Sequence, residues 1–235
     1  MNKPRLDIDF GPMFSGKTQN LYRKCTRMAD AIQSVRGPLE GGLAKEVLLI
    51  TDKNQARQSA SNQKGLSTHT YGFSCSPYLK IKEVSTLSEI TEEDIRYAVL
   101  IGIDEGFYPD LYEKVLFWYL ERNISIAIAC IDGSYKQESI TPQVYQLIPY
   151  ATSIRKHHAI CTACLASTSQ ATPAYYTIKT FSSNTNNTNT SNGGGQDVEY
   201  GGYDKYRPVC LDHLRKHRLE QALVHQVHSS LSTLS

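Results

Sequence analysis

At 235 residues, 40% of them apolar, the chain has room for one α/β domain with a small appendage and enough apolar side chains for a core. Its 25 Lys and Arg nearly balance 23 Asp and Glu, a net charge of +2, so no membrane surface is announced and a nucleic-acid partner is not expected. No apolar run reaches membrane-span length and none precedes a cleavage site at the N-terminus. A cytosolic (cytoplasmic) setting is therefore expected, where the six cysteines are thiols or metal ligands rather than disulfides.

Leu6-Asp7-Ile8-Asp9-Phe10 alternates apolar and polar side chains, which predicts a strand. Lys17 to Ile32 predicts a helix, followed by a Gly/Pro-rich turn at Arg36 to Gly42. Glu46 to Ile50, Ala98 to Ile103 and Ile124 to Ile131 are short apolar runs, as strands buried on both faces of a parallel sheet are. Helical patterns lie between the later two strands, at Leu111 to Arg122, and after the last, at Thr141 to Ile148. Strands alternating with helices predict an α/β fold, a parallel sheet flanked by helices. Past Thr152 this patterning stops and cysteine pairs and tyrosines appear. The expected organisation is a nucleotide-binding α/β domain over 1–152, a second domain over 153–213 and a tail over 214–235. Residues 182–196, rich in Ser, Asn, Thr and Gly, cannot bury apolar area against their ordering entropy and are expected as a disordered insert. Asn-x-Ser/Thr patterns at Asn186 and Asn189 are read as chance without a secretory route. His213 to Ser235 is expected to begin as a helix and fray.

The first strand runs directly into Gly11-Pro12-Met13-Phe14-Ser15-Gly16-Lys17-Thr18. This spacing is that of a phosphate-binding loop: backbone N–H groups cradle a triphosphate, the Lys17 ammonium reaches the β/γ-phosphates and the Thr18 hydroxyl takes one place on Mg²⁺. A helix beginning at this step aims its positive end at the same phosphates. The strand ending at Ile103 leads into Asp104 and Glu105. Asp104 is placed to hold Mg²⁺, directly or through water, and Glu105 to accept a proton from an attacking hydroxyl. An alcohol as acceptor makes the protein a kinase; water makes it an ATPase.

Cys161-Thr162-Ala163-Cys164 and Cys210-Leu211-Asp212-His213 are two pairs with two residues between ligands. Two such knuckles meeting on one tetrahedral Zn²⁺ form a closed, structural site that ties off the long interval between them. His157 and His158 lie nearby, but the second pair already completes four ligands. Cys25, Cys75 and Cys130 lack partners at ligand spacing and are read as ordinary thiols.

The phosphate loop, Ile103-Asp104-Glu105-Gly106, Ile131-Asp132-Gly133-Ser134-Tyr135, Cys-x-x-Cys, Gly201-Gly202-Tyr203-Asp204-Lys205-Tyr206 and Cys-x-x-His occur in the order seen in one family. Over about residues 6 to 213 the chain resembles the tetrameric, zinc-containing (type II, cytosolic-like) thymidine kinases. The resemblance implies a RecA-like phosphate-loop domain with a small zinc-ribbon domain carrying a lasso-like loop. It implies transfer of the γ-phosphate of ATP to the 5′-hydroxyl of thymidine, giving dTMP, with Glu105 as general base and deoxyuridine as a second substrate. Gly11 to Thr18, Arg57 and Asp104 would serve ATP and Mg²⁺. Phe107, Tyr108, Tyr135, Thr177 and Tyr206 would line the nucleoside pocket. The structural Zn²⁺ on Cys161, Cys164, Cys210 and His213 would anchor the lasso. A homotetramer and feedback by dTTP come from the same resemblance.

The chain departs from the family pattern in four places. The turn after Glu105 is one residue short, Gln55 stands where an acidic residue is usual, Phe73 to Ser85 diverges, and the 182–196 insert lies within the lasso. Two other readings stay open. One is a phosphate-loop ATPase whose zinc ribbon binds nucleic acid or protein, favoured by the basic runs Arg155 to His158 and Arg215 to Arg218. The other is a weakly active nucleoside-binding paralogue, motivated by the short turn.

Overall fold

A computed structural model describes residues 3–36, 45–53, 76–139, 142–180 and 205–232. Gln55, Arg57, Cys75, the insert at 182–196 and Gly201 to Asp204 lie outside the described residues. The chain divides into two compact units, the first made of Met1–Phe10, Gly16–Asp132 and Thr141–Lys156 and the second of Gly11–Ser15, Gly133–Ile140 and His157–Ser235.

The first unit is built on a six-stranded sheet of β1 (Leu6–Gly11), β2 (Glu46–Asp52), β3 (Leu79–Val84), β4 (Ala98–Glu105), β5 (Ser125–Ile131) and β6 (Ser153–Lys156), in the order β3-β2-β4-β5-β1-β6. The pairs β1–β6, β2–β3, β2–β4 and β4–β5 are parallel. Helices α1 (Lys17–Arg36), α2 (Glu92–Ile95), α3 (Leu111–Leu116) and α4 (Pro142–Gln146) accompany it. The central strands bury both faces, and period-2 alternation divides their side chains. Val47 and Leu49 of β2 join Leu21, Tyr22, Cys25, Ala29 and Ile32, the inner face of α1. Leu48 and Ile50 join Ile101, Ile103, Ile126 and Ile128 beneath Leu111, Val115, Trp118, Val144 and Leu147. Each fully buried aliphatic chain contributes about 1.5–3 kcal/mol.

The acidic positions of β1 have a local cause. Asp9 is buried and accepts a hydrogen bond from Asn20 Nδ2 at 2.9 Å, while Asp7 accepts from Lys24 Nζ at 2.8 Å. The β1 side facing α1 is therefore polar, and the strand alternates where β2 does not. The helix predicted over Leu111 to Arg122 widens after Leu116 into one π-helical stretch, Phe117–Glu121, where Arg122 N–H donates to Phe117 O at 3.2 Å. This turn carries Trp118 into the core.

Gly102 of β4 faces α1. A Cβ there would stand 2.6 Å from Cys25 Sγ and 3.0 Å from Leu49 Cδ1. Gly102→Ala is therefore expected to lower stability by about 1–3 kcal/mol through overpacking. The urea midpoint measures it, and Cys25→Ala in the same chain should restore part of the loss. An unchanged midpoint would contradict the close helix–strand packing.

Sequence patterning was expected to stop at Thr152, yet Ser153–Lys156 forms β6, in register with Asp7 to Phe10 of β1. Leu79–Val84, within the divergent stretch Phe73 to Ser85, forms β3. Both are edge strands. An edge strand has an exposed side and carries Lys or Arg that discourages further pairing, so its apolar signal is weak.

The second unit holds two antiparallel pairs, β7 (Ala159–Ile160) with β8 (Pro173–Ala174) and β9 (Tyr176–Lys179) with β10 (Tyr206–Val209), and two helices, α5 (Thr162–Thr168) and α6 (Leu211–Ser232). Among its described residues the buried apolar cluster is small: Ala159, Cys161, Ala174, Val209, Cys210 and Leu214. The chain past His213, expected to fray, is helical through Ser232. No described helix is long and apolar enough to cross a membrane.

Candidate active site and metal centre

In the first unit, Gly16, Lys17 and Thr18 open α1. Gly16 has φ +79°, a left-handed conformation open to glycine at little cost, and its carbonyl accepts from Asn20 N–H at 2.9 Å. Lys17 is 7% exposed. Burial pushes its ammonium down from the ordinary lysine range, while Glu105, Cys130, Asp132 and Asp104 act in the opposite direction. The carboxyl groups that act on this one buried ammonium outnumber it, so a cation bound among them would offset their charge.

Asp104 and Glu105 end β4, whose last residues are in register with Ala129 and Cys130 of β5. Asp104 is 3% exposed and accepts a hydrogen bond from Thr18 Oγ1 at 3.0 Å. Burial raises its carboxyl to about 6, opposed by the Thr18 hydroxyl and the Lys17 charge. Glu105 is half-buried with φ +75°, and Gly106 follows at φ +64°. Two consecutive left-handed residues turn the chain sharply away from the sheet. A non-glycine residue in that region costs about 1–3 kcal/mol and such residues cluster at functional sites. Gly106 is also confined: a Cβ there would lie 3.1 Å from Cys130 Cβ and 3.2 Å from Val144 Cγ2. Phe107 is half-buried after this turn, whereas Tyr108 is 4% exposed and packed in the large core. Asp132, after β5, is a third carboxylate of this region that sequence reading gave no role. It stands 3.0 Å from Lys156 Nζ at the end of β6, and its backbone O accepts from Tyr145 OH at 2.7 Å.

Gly11 to Ser15 belong to the second unit. Gly11 lies where a Cβ would come within 2.9 Å of the His157 carbonyl oxygen, so the backbones meet closely only without a side chain. Pro12 is buried and Phe14 takes φ +64°. Met13 N–H donates to Thr177 Oγ1 at 3.0 Å. Thr177, 6% exposed, was singled out for a substrate pocket; its hydroxyl is used here to hold the loop backbone. Tyr135 and Tyr206 come together with ring centroids 6.2 Å apart, and the ammonium groups of Lys136 and Lys179 lie 5.7 and 5.5 Å from the Tyr135 ring centre. Gln137, which sequence reading missed, is bonded to the Thr177 carbonyl at 3.0 Å. Nothing in a lone polar residue of a turn distinguishes it before the chain is folded.

The four predicted metal ligands also meet in this unit. Cys161 directly precedes α5 and Cys164 lies in its first turn; Cys210 and His213 repeat this arrangement at the start of α6. The carbonyls of Cys161 and Cys210 each accept the N–H four residues on, from Leu165 and Leu214, at 3.0 Å. Two strand-to-helix turns thus present matching ligand pairs. All four donor atoms lie within 4.8 Å of one another. His213 Nδ1 is 3.3 Å from Cys210 Sγ, 3.5 Å from Cys164 Sγ and 3.7 Å from Cys161 Sγ, and Cys164 and Cys210 sulfurs are 3.8 Å apart. Tetrahedral Zn²⁺ with Zn–S near 2.3 Å and Zn–N near 2.0–2.1 Å sets neighbouring ligand atoms about 3.6–3.8 Å apart. The cysteines are free thiols, far beyond disulfide length. Donor set and spacing fit structural zinc, with no ligand position left for a substrate.

A family model described as thymidine kinase matches residues 5–214. Among curated proteins the chain is 28% identical over 216 residues to "Thymidine kinase, cytosolic" of Gallus gallus, covering 88% of this chain and 76% of that one. It is 30% identical over 208 residues to the thymidine kinase of Yaba monkey tumor virus, covering 87% and 91%, and 27% identical over 216 residues to that of Acanthamoeba polyphaga mimivirus, covering 91% and 83%. A solved structure described as an ATPase aligns at a TM-score of 0.39 with 12% identity, covering 67% of this chain and 66% of that one. By the extent of the family match, the chain belongs to the thymidine kinase family.

Proposed function

We propose that this protein transfers the γ-phosphate of ATP to the 5′-hydroxyl of thymidine, giving dTMP and ADP, and accepts deoxyuridine as a second substrate. The observation that carries this reading is the gathering of Lys17, Thr18, Asp104 and Glu105 at the carboxyl edge of the sheet in a chain of this family. Ligands of open α/β sheets bind at that edge.

Gly11 to Gly16 offer backbone N–H groups to the triphosphate, and Lys17 neutralises charge that spreads over the γ-phosphoryl oxygens in the transition state. Thr18 and Asp104 present two oxygen donors 3.0 Å apart, the hard donors that Mg²⁺ takes, with Arg57 a further phosphate ligand. Mg²⁺ held by Thr18 and Asp104 would supply neutralisation of triphosphate charge. The Glu105 carboxylate takes the proton of the 5′-hydroxyl as its oxygen bonds to the γ-phosphorus. The bond from that phosphorus to the β–γ bridging oxygen breaks, and ADP keeps the electron pair. Phe107, Tyr135, Thr177 and Tyr206 are the residues assigned to the nucleoside pocket. A lid drawn from the chain after β6, tied by zinc on Cys161, Cys164, Cys210 and His213, would keep water from the γ-phosphate. A deoxyuridine base, lacking only the 5-methyl, fits the same pocket. Homotetramer assembly, dTTP feedback and the cytosolic location named for several relatives complete the reading.

The test is incubation of purified protein with radiolabelled ATP, Mg²⁺ and a panel of deoxynucleosides. Labelled dTMP and dUMP are expected, with little free phosphate when nucleoside is omitted. Nucleoside-independent hydrolysis with no dTMP would overturn the kinase reading in favour of an ATPase.

A further inference from the structure

The Gln137 side chain is hydrogen-bonded through both its amide nitrogen and its amide oxygen. Its backbone lies at φ +61°, a conformation that non-glycine residues keep only when their surroundings hold them. The surroundings here are specific. Gln137 N–H donates to Ser134 O at 2.9 Å, and Ser134 N–H donates to Glu138 O at 2.9 Å, closing a tight turn. The Gln137 side-chain amide donates to Tyr135 O at 2.7 Å and to Thr177 O at 3.0 Å. Its Oε1 accepts from Arg218 Nη2 at 3.0 Å. Both amide protons and the amide oxygen are therefore used.

These bonds form a line through the second unit. Arg218 of α6 holds Gln137; Gln137 sets the backbone of Tyr135 and Thr177; the Thr177 hydroxyl accepts from Met13 N–H at 3.0 Å. Tyr135 and Thr177 are two residues assigned above to the nucleoside pocket, and Met13 belongs to the phosphate loop. Arg218 lies beyond residue 214, where the family match ends. Its contact is thus supplied by the part of α6 that follows the zinc ligands.

We infer that Gln137 is a positioning residue of the nucleoside pocket and that Arg218 extends control of that pocket to the C-terminal helix. This rests on the kinase reading above. The carbonyls of Tyr135 and Thr177 come from separate segments, and one planar amide bridges them at a defined separation. Without it the left-handed turn relaxes and the aromatic ring of Tyr135 shifts relative to β9. Arg218 orients the amide by occupying its oxygen, leaving both protons to face the two carbonyls.

Steady-state kinetics and thymidine titration of the full chain test this. Gln137→Ala should raise the thymidine KM by roughly tenfold or more, with the ATP KM within about twofold, since two bonds at one site are lost. Arg218→Ala should raise it by roughly 3- to 10-fold, and Arg218→Lys, which keeps a donor, should recover part. Gln137→Glu keeps an acceptor for Arg218 but removes both N–H donors, so it should resemble the alanine variant. Zinc content should stay at the wild-type level in all four. Wild-type kinetics with thymidine in Gln137→Ala and Arg218→Ala, or equal rises in both KM values, would overturn the inference while leaving the kinase reading intact. A wild-type chain that neither binds thymidine nor makes dTMP would overturn both.

Discussion

Glu105→Gln should lower the rate of dTMP formation by about 10²–10⁴-fold, the range a positioned general base contributes. The substitution keeps the shape of the side chain and its left-handed backbone, and leaves the Thr18–Asp104 hydrogen bond in place. ATP binding, followed with a fluorescent analogue, should change by only a few-fold. Lys17 is the group to watch, because Glu105 is foremost among those opposing the effect of burial on its ammonium. Removing that charge moves Lys17 further down in proton affinity, so phosphate binding by the variant should weaken at lower pH than in the wild type as pH rises. Glu105→Asp separates the two roles: it retains the charge near Lys17 but draws the carboxylate back by one methylene, and should bind ATP normally while transferring slowly. A Glu105→Gln enzyme within tenfold of the wild-type rate would show that the proton leaves by another route.

Loss of zinc should be the largest structural effect. Among the described residues the second unit's buried apolar cluster has six small or medium side chains, and two of them, Cys161 and Cys210, belong to the Cys/His quartet. Such a core supplies little stability, and small domains of this kind depend on a metal or disulfides. Structural zinc is worth about 10–16 kcal/mol in zinc-finger peptides near neutral pH. Chelation, or Cys164→Ser, should therefore release the metal, expose the stretch from His157 to Ser232 to proteolysis and abolish dTMP formation. The first unit has its own large core around β1, β2, β4 and β5 and should keep its protection. Metal analysis and limited proteolysis read the two halves separately. Falling pH should act in the same direction, since the thiolates must be deprotonated to hold zinc. A Cys164→Ser protein with full activity and no zinc would remove the case for a metal-anchored lid.

What was legible beforehand follows from the kind of signal each element leaves. β2, β4 and β5 are apolar on both faces, so they stand out as runs against polar surroundings. The phosphate loop and the metal pairs are local patterns, with spacing dictated by a phosphate and by a tetrahedron, and spacing survives in one dimension. β3 and β6 leave no such mark because each lies at an edge. Tyr108, read as a pocket residue, is an aromatic beside a functional turn; only packing reveals that its ring belongs to the core. Helicity to Ser232 was hidden by weak amphipathicity. The helix starts directly after Cys210, with His213 of the same Cys/His quartet in its first turn, and ties back through Arg218 to Gln137.

Read along the chain, the residues were enough for the class of fold and the Cys/His quartet, because each depends on neighbours within a few positions. They did not reveal that β5 lies between the phosphate-loop strand and the strand ending in Asp104-Glu105, an order decided by which strands pair. Nor did they reveal the need for glycine at 102, set by a cysteine on α1. They gave no hint that one glutamine joins Tyr135, Thr177 and Arg218, residues 81 positions apart at the widest bond. Those features are distances between segments remote in sequence, and such distances exist only once burial of apolar surface has brought the segments together.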